Sequence, residues 1–131
     1  MEAAQRYLEA KERMPLGAEQ WAQATAAAFA MLQLKDCDEV AKPEWWNDEE
    51  LKALSARVVR VAPNCKGASR MRAIVLHGNS CGAWEAGPRS AAELTEAAMN
   101  YERTAALSNA PAVKINFAFI AGQCRSEADA M

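Results

Sequence analysis

Residues 101–112 read YERTAALSNAPA, and their reading decides the fold. A helix-forming run gives way to Ser108 and Asn109, and then to Pro111. Asn is a good residue to start a helix, and proline is tolerated in a first turn, where its missing N–H is not needed. The stretch therefore holds the last turns of one helix, a corner, and the first turn of the next. VAPNCK at 61–66 carries the same device, and Pro63 lies 48 residues before Pro111.

Composition agrees with helices at both places. Of 131 residues, 30 are Ala, whereas Val, Ile and Thr together number 12. Alanine is the best intrinsic helix former, and the β-branched residues favour strands. The length suits one domain with a modest core of its own.

Helical spacing extends outward from the corners. Residues 2–13 form a charged amino-terminal helix candidate ending near Pro15 and Gly17. Over 18–34, Trp21, Thr25, Ala28 and Leu32 share one face. Asn47 followed by Glu50 reads as a cap opening a helix that carries Leu51, Leu54, Val58 and Val61 to Pro63. Residues 66–77 carry Ala68, Met71 and Val75. HGNSCGAWEAGP is a loop by its three glycines and proline. Ser90 and Glu93 form a capping box, and Leu94, Ala98, Tyr101 and Ala105 line the helix that follows. The last segment, AVKINFAFIAG at 112–122, fits two periods. Val113, Ile115, Phe117 and Phe119 alternate as in a strand, whereas Val113, Phe117, Ile120 and Cys124 make a helical stripe. Pro111 favours the helix. Ile115 and Phe119 then form a second apolar face that needs cover, either from the amino-terminal helices or from another protein.

AAMNYERTAALSNAP resembles the second helix of a tetratricopeptide repeat. Ala97, Tyr101, Thr104 and Pro111 match that family's Ala, aromatic, small residue and closing proline. Phe117, Ile120, Ala121 and Cys124 fill the places that begin its next helix, with Cys124 where Tyr is usual. Over 49–76, Pro63 and Ala73 fit, while Ser69 and Arg72 stand where large apolar residues belong. The 48-residue interval equals a 34-residue repeat whose loop has grown by 14. The resemblance implies an all-α fold, with antiparallel helix pairs stacked as a short right-handed array. One domain, 1–131, would comprise an amino-terminal helix and turn (2–17), a first pair (18–62), a second pair (65–108, with the long loop at 78–89) and a terminal helix (111–127). Such arrays hold peptides or proteins on a concave face. The family's clamp for acidic peptide tails is not reproduced, because Ala118 and Gly122 occupy clamp places.

Charge points to a surface rather than a reaction. Net charge is −2, with no nucleic-acid footprint. Residues 1–50 have eleven acids and five bases, net −6, whereas 51–90 have seven bases and one acid, net +6. Either these segments attract each other, or the basic one receives an acidic partner. Arg57, Arg60, Arg70 and Arg72, with Ile115 and Phe119, are the candidate partner-binding residues.

AIVLHGNSCGAW is similar to the strand and oxyanion loop of α/β-hydrolases, but no G-x-S-x-G follows and His77 is the chain's single histidine. No triad can be built, and His77 reads as exposed. His77, Cys65 and Cys81 lack zinc-site spacing. Cys37, Cys65, Cys81 and Cys124 form no C-x-x-C and read as free thiols. Trp21 reads as core, while Trp45, Trp46 and Trp84 either tuck under loops or anchor a partner. The amino terminus lacks a signal peptide's apolar run, and no stretch approaches the ~20 apolar residues of a membrane span. The sequence thus points to a non-enzymatic protein-interaction module, cytoplasmic and soluble, with no catalytic residue, cofactor or metal. The other reading is a structural subunit of a larger assembly, its terminal helix covered by a neighbour.

Overall fold

The structure, a computed structural model, describes residues 8–9, 17–33, 42–80 and 82–131. These form five helices: α1 Glu19–Leu32, α2 Asp48–Val61, α3 Lys66–His77, α4 Ala91–Leu107 and α5 Pro111–Asp129. The described residues include no strand. The protein is all-α, and the ambiguous 112–122 segment is helix. Apart from Leu8 and Glu9, the helix expected over 2–13 lies outside the described residues, as do residues 34–41 after α1.

Packing follows chain order. Helix α1 lies on α2 and α3, α2 on α3, α3 on α4, and α4 on α5, consistent with a helical array. Small residues make the close approaches possible. Gly67 of α3 comes so near α1 that a Cβ placed on it would sit 3.5 Å from Cβ of Ala26. The stripe Trp21, Thr25, Ala28 and Leu32 is buried, and Phe29 joins Trp21 in one core with Leu51, Val58, Met71, Val75, Tyr101 and Cys124.

Side chains fix the corners and helix ends. Asn47 accepts the Glu50 N–H at 3.0 Å. The box at Ser90 and Glu93 is reciprocal, with bonds of 2.9 and 3.1 Å. Arg103 of α4 holds the α2–α3 corner by donating to the Pro63 carbonyl (2.6 Å) and to Asn64 Oδ1 (3.1 Å). At the α4–α5 corner, Ala110 rather than Asn109 takes the cap position, without a side-chain bond, and Pro111 opens the helix. Proline there removes one N–H that would otherwise lack a partner.

The tryptophans tuck inward. Trp46 and Trp84 pack on Phe29 with ring centroids 5.5 and 5.9 Å away, and Trp45 packs on Trp46 at 5.8 Å. Trp46 donates to the Ala83 carbonyl at 2.8 Å, which draws the glycine-rich loop down onto the aromatic cluster. Each fully buried large apolar side chain contributes on the order of 1.5–3 kcal/mol, so the loop is anchored although it is irregular.

Candidate functional site

Helices α1, α3 and α5 are not consecutive, yet they share one open face. Two adjoining cavities lie along it. The first, about 460 Å³, is walled by Lys66, Gly67, Arg70, Ala112, Val113 and Phe117 among others. The second, about 320 Å³, runs from Ala30 and Gln33 of α1 past Ile74 and Asn79 to Ile120 of α5. Arg70, Asn116 and Phe117 line both, so they form the sill between them. Together the cavities make one groove.

Tyr101 of α4 closes its floor. Its ring is 1% exposed and stacks on Phe117, centroids 6.0 Å apart and planes 21° apart. His77 meets the other side of Tyr101 edge-on at 5.8 Å, and Nδ1 lies 3.2 Å from the phenolic oxygen. His77 is therefore half-buried between helices rather than exposed, with Nε2 3.9 Å from Glu127 Oε1. Held by both neighbours, Tyr101 presents a rigid base to the groove.

Arg70 sits half-buried on the sill. Burial lowers its pKa from the ordinary arginine value, while Tyr101 pushes it back up. The guanidinium stays charged because arginine loses its proton only far above neutral pH. Lys66 lies one turn before it on the same helix and faces the same cavity. Neither cavity wall contains an acidic side chain. The groove thus combines apolar walls with the polar Gln33, Asn79 and Asn116, and it is positive at its middle.

The six residues singled out from sequence do not come together. Arg57 and Arg60 are exposed on α2, which does not line the groove. Ile115 and Phe119 stand on the outer side of α5, 71% and 65% exposed. Arg72 bonds within the fold: Nε donates to Glu96 at 2.9 Å, and Nη1 donates to the Lys52 carbonyl (2.7 Å) and Ser55 Oγ (3.1 Å). It ties α2, α3 and α4 together. Of the six, only Arg70 reaches the groove.

Lys66, Asn116 and Phe117 were missed as groove residues. A signal for one existed, since Lys66 and Arg70 are spaced i, i+4 and so must share a helix face. Phe117 stood on a helical stripe with Val113, but neither it nor Asn116 could be assigned to this groove from sequence, because only the packing of α5 against α4 turns them toward α3.

Ile74–Leu76 end a helix, so the oxyanion-loop likeness has no strand beneath it. Among the described residues, no three of His, Cys, Asp and Glu gather as a metal site requires, and Cys81 lies outside them. Among them, too, no helix is long and apolar enough to cross a membrane. No family model, curated protein or solved structure matches the chain.

Proposed function

We propose that the protein is a non-enzymatic protein–protein interaction module, an adaptor or scaffold, that holds a peptide segment in the groove between α1, α3 and α5. One observation carries this reading: the two cavities join across a sill where a charged, half-buried guanidinium has no hydrogen bond or ion pair to a described residue. A groove of that length, apolar with a few convergent polar groups, has the character of a binding site. The resemblance of 94–125 to a tetratricopeptide repeat lends support, because stacked helix pairs present such concave faces.

Selection of a phage-displayed random peptide library on the full chain tests it. Enriched peptides should bind wild type and Phe119→Asp alike and lose about tenfold or more on Asn116→Trp, which fills the sill. Absence of enrichment, or binding indifferent to Asn116→Trp, overturns the reading.

The second reading, a structural subunit of a larger assembly, draws on the bare Ile115 and Phe119 of α5. Large exposed apolar side chains grouped on one face mark interaction surfaces. Aggregation or self-association of the isolated chain that Phe119→Asp abolishes would favour it.

A further inference from the structure

The described cationic side chains divide into those already used and those left over. Arg72, Arg89, Arg103, Arg125, Lys42 and Lys52 each bond to a carbonyl or carboxylate of the protein. Arg57, Arg60, Lys66 and Lys114 are exposed, where water serves them. Arg70 fits neither group. It is half-buried in the groove, and its N–H donors, which still reach solvent, bond to no described residue. A partly desolvated guanidinium with no counter-charge in the surrounding walls attracts an anion from outside more strongly than a solvated one.

Position then selects the anion. Arg70 and Asn116 stand at the sill, with room on both sides. Val113 and Ala112 wall the space on one side, and Ile74 and Ile120 wall it on the other. A small anion would leave both apolar spaces unfilled, and a chain ending in its carboxylate would leave one. A carboxylate in mid-chain, with bulky apolar neighbours, fills all three places at once.

Building on the interaction-module reading, we infer that the groove's partner is a peptide in which one Asp or Glu side chain, flanked by large apolar residues, docks on Arg70 and Asn116. Arg70 pairs with the carboxylate and the Asn116 amide donates to it. The flanking side chains enter the two cavities, and Lys66 adds attraction at the open end.

Two pools of acetylated, amidated pentapeptides provide the probe. Both have flanking positions randomised among Leu, Ile, Phe and Met, and the centre is Glu in one and Gln in the other. Blocked termini leave the central side chain as the sole carboxylate. Titration of the ¹⁵N-labelled full chain should shift amides of 66–70 and 112–120, with the Glu pool binding about tenfold more tightly than the Gln pool at low salt. Arg70→Gln should erase that ratio, Arg70→Lys should keep part of it, and 0.5 M salt should shrink it. Equal binding of the two pools in the groove overturns the carboxylate anchor while leaving the interaction module standing. A Glu preference that survives Arg70→Gln overturns it as well. If neither pool shifts groove amides at millimolar concentration, the anchor fails, and a failed library selection beside it removes the module too.

Discussion

Asp48 and Arg89, 41 residues apart, face each other with two parallel hydrogen bonds, Arg89 Nη1 to Oδ2 at 3.0 Å and Nη2 to Oδ1 at 2.5 Å. The same carboxylate accepts from Trp84 Nε1 at 3.0 Å and from the Gly87 N–H at 3.3 Å. Arg89 Nη2 also reaches the last turn of α3, donating to the Val75 carbonyl at 2.9 Å. One ion pair thus pins the long loop between the start of α2 and the end of α3. It is also where the acidic amino-terminal segment meets the basic middle one.

Removing Asp48 leaves a guanidinium whose side chain is 6% exposed without its counter-charge. Breaking one side of a buried pair is costlier than never having the pair. Asp48→Ala should therefore destabilise the fold by roughly 2–4 kcal/mol, read as a lower urea midpoint. A loss under about 0.5 kcal/mol would show that the pair is solvated in practice.

Acid should weaken the same contact. Burial pushes the Asp48 carboxyl up, but the hydrogen bonds from Arg89, Trp84 and Gly87 outweigh it and bring the pKa from 3.8 down to about 2. A carboxylate depressed by folding stabilises fully above its unfolded pKa and loses that contribution as pH falls through the folded one. Stability should drop by about 1–2 kcal/mol between pH 4 and pH 2 from this group, after allowance for solvent screening. Glu93 is lowered by Lys52 and Ser90 and adds to the slope. Asp48→Asn should flatten the curve in that window, and an unchanged slope would remove Asp48 as its source.

Gly78 ends α3 with φ +75, a left-handed conformation that residues with a Cβ adopt at a cost. A Cβ there would also lie 3.1 Å from Arg89 Nε, and Arg89 is held in place by Asp48. Gly78→Ala should cost about 1–2 kcal/mol. In the Asp48→Ala background the cost should shrink, because Arg89 is then free to yield. A double-mutant cycle measures that coupling.

Cys124 is buried between α5 and the core, and burial pushes its thiol up to about 11, with Glu127 adding to the rise. The thiolate is the reactive form. At pH 8 a disulfide-exchange reagent should label Cys65, which is partly exposed, and leave Cys124 unmodified until urea unfolds the chain. Rapid labelling of Cys124 in folded protein, mapped by mass spectrometry, would contradict the seating of α5 on α4.

Phe119 is largely exposed, so Phe119→Asp should leave the urea midpoint of the isolated chain within about 0.5 kcal/mol of wild type. A larger loss would mean that the outer face of α5 is covered within the chain itself.

The helices of the described region were legible because their signals are local. The capping box at Ser90, the residue spacing of 66–77 and the proline at 111 each fix backbone geometry within a few residues. The alternation Val113–Phe119 was ambiguous because it fits both periods. A helix satisfies its own backbone bonds, whereas a strand here would have needed a partner. Arg72 and His77 misled for the opposite reason. Each looks like a surface residue in its own segment, and only helices brought together from elsewhere supply Ser55, Glu96 and Tyr101.

By itself, then, the sequence determined where the chain is helical and where it turns, because propensity, capping and proline geometry act between near neighbours. Which charges are spent inside the fold and which are left without a bond to a described residue was decided by tertiary structure alone. Arg70 and Arg72 are two residues apart on one helix, about 200° around its axis. One therefore faces the groove while the other is locked between α2 and α4.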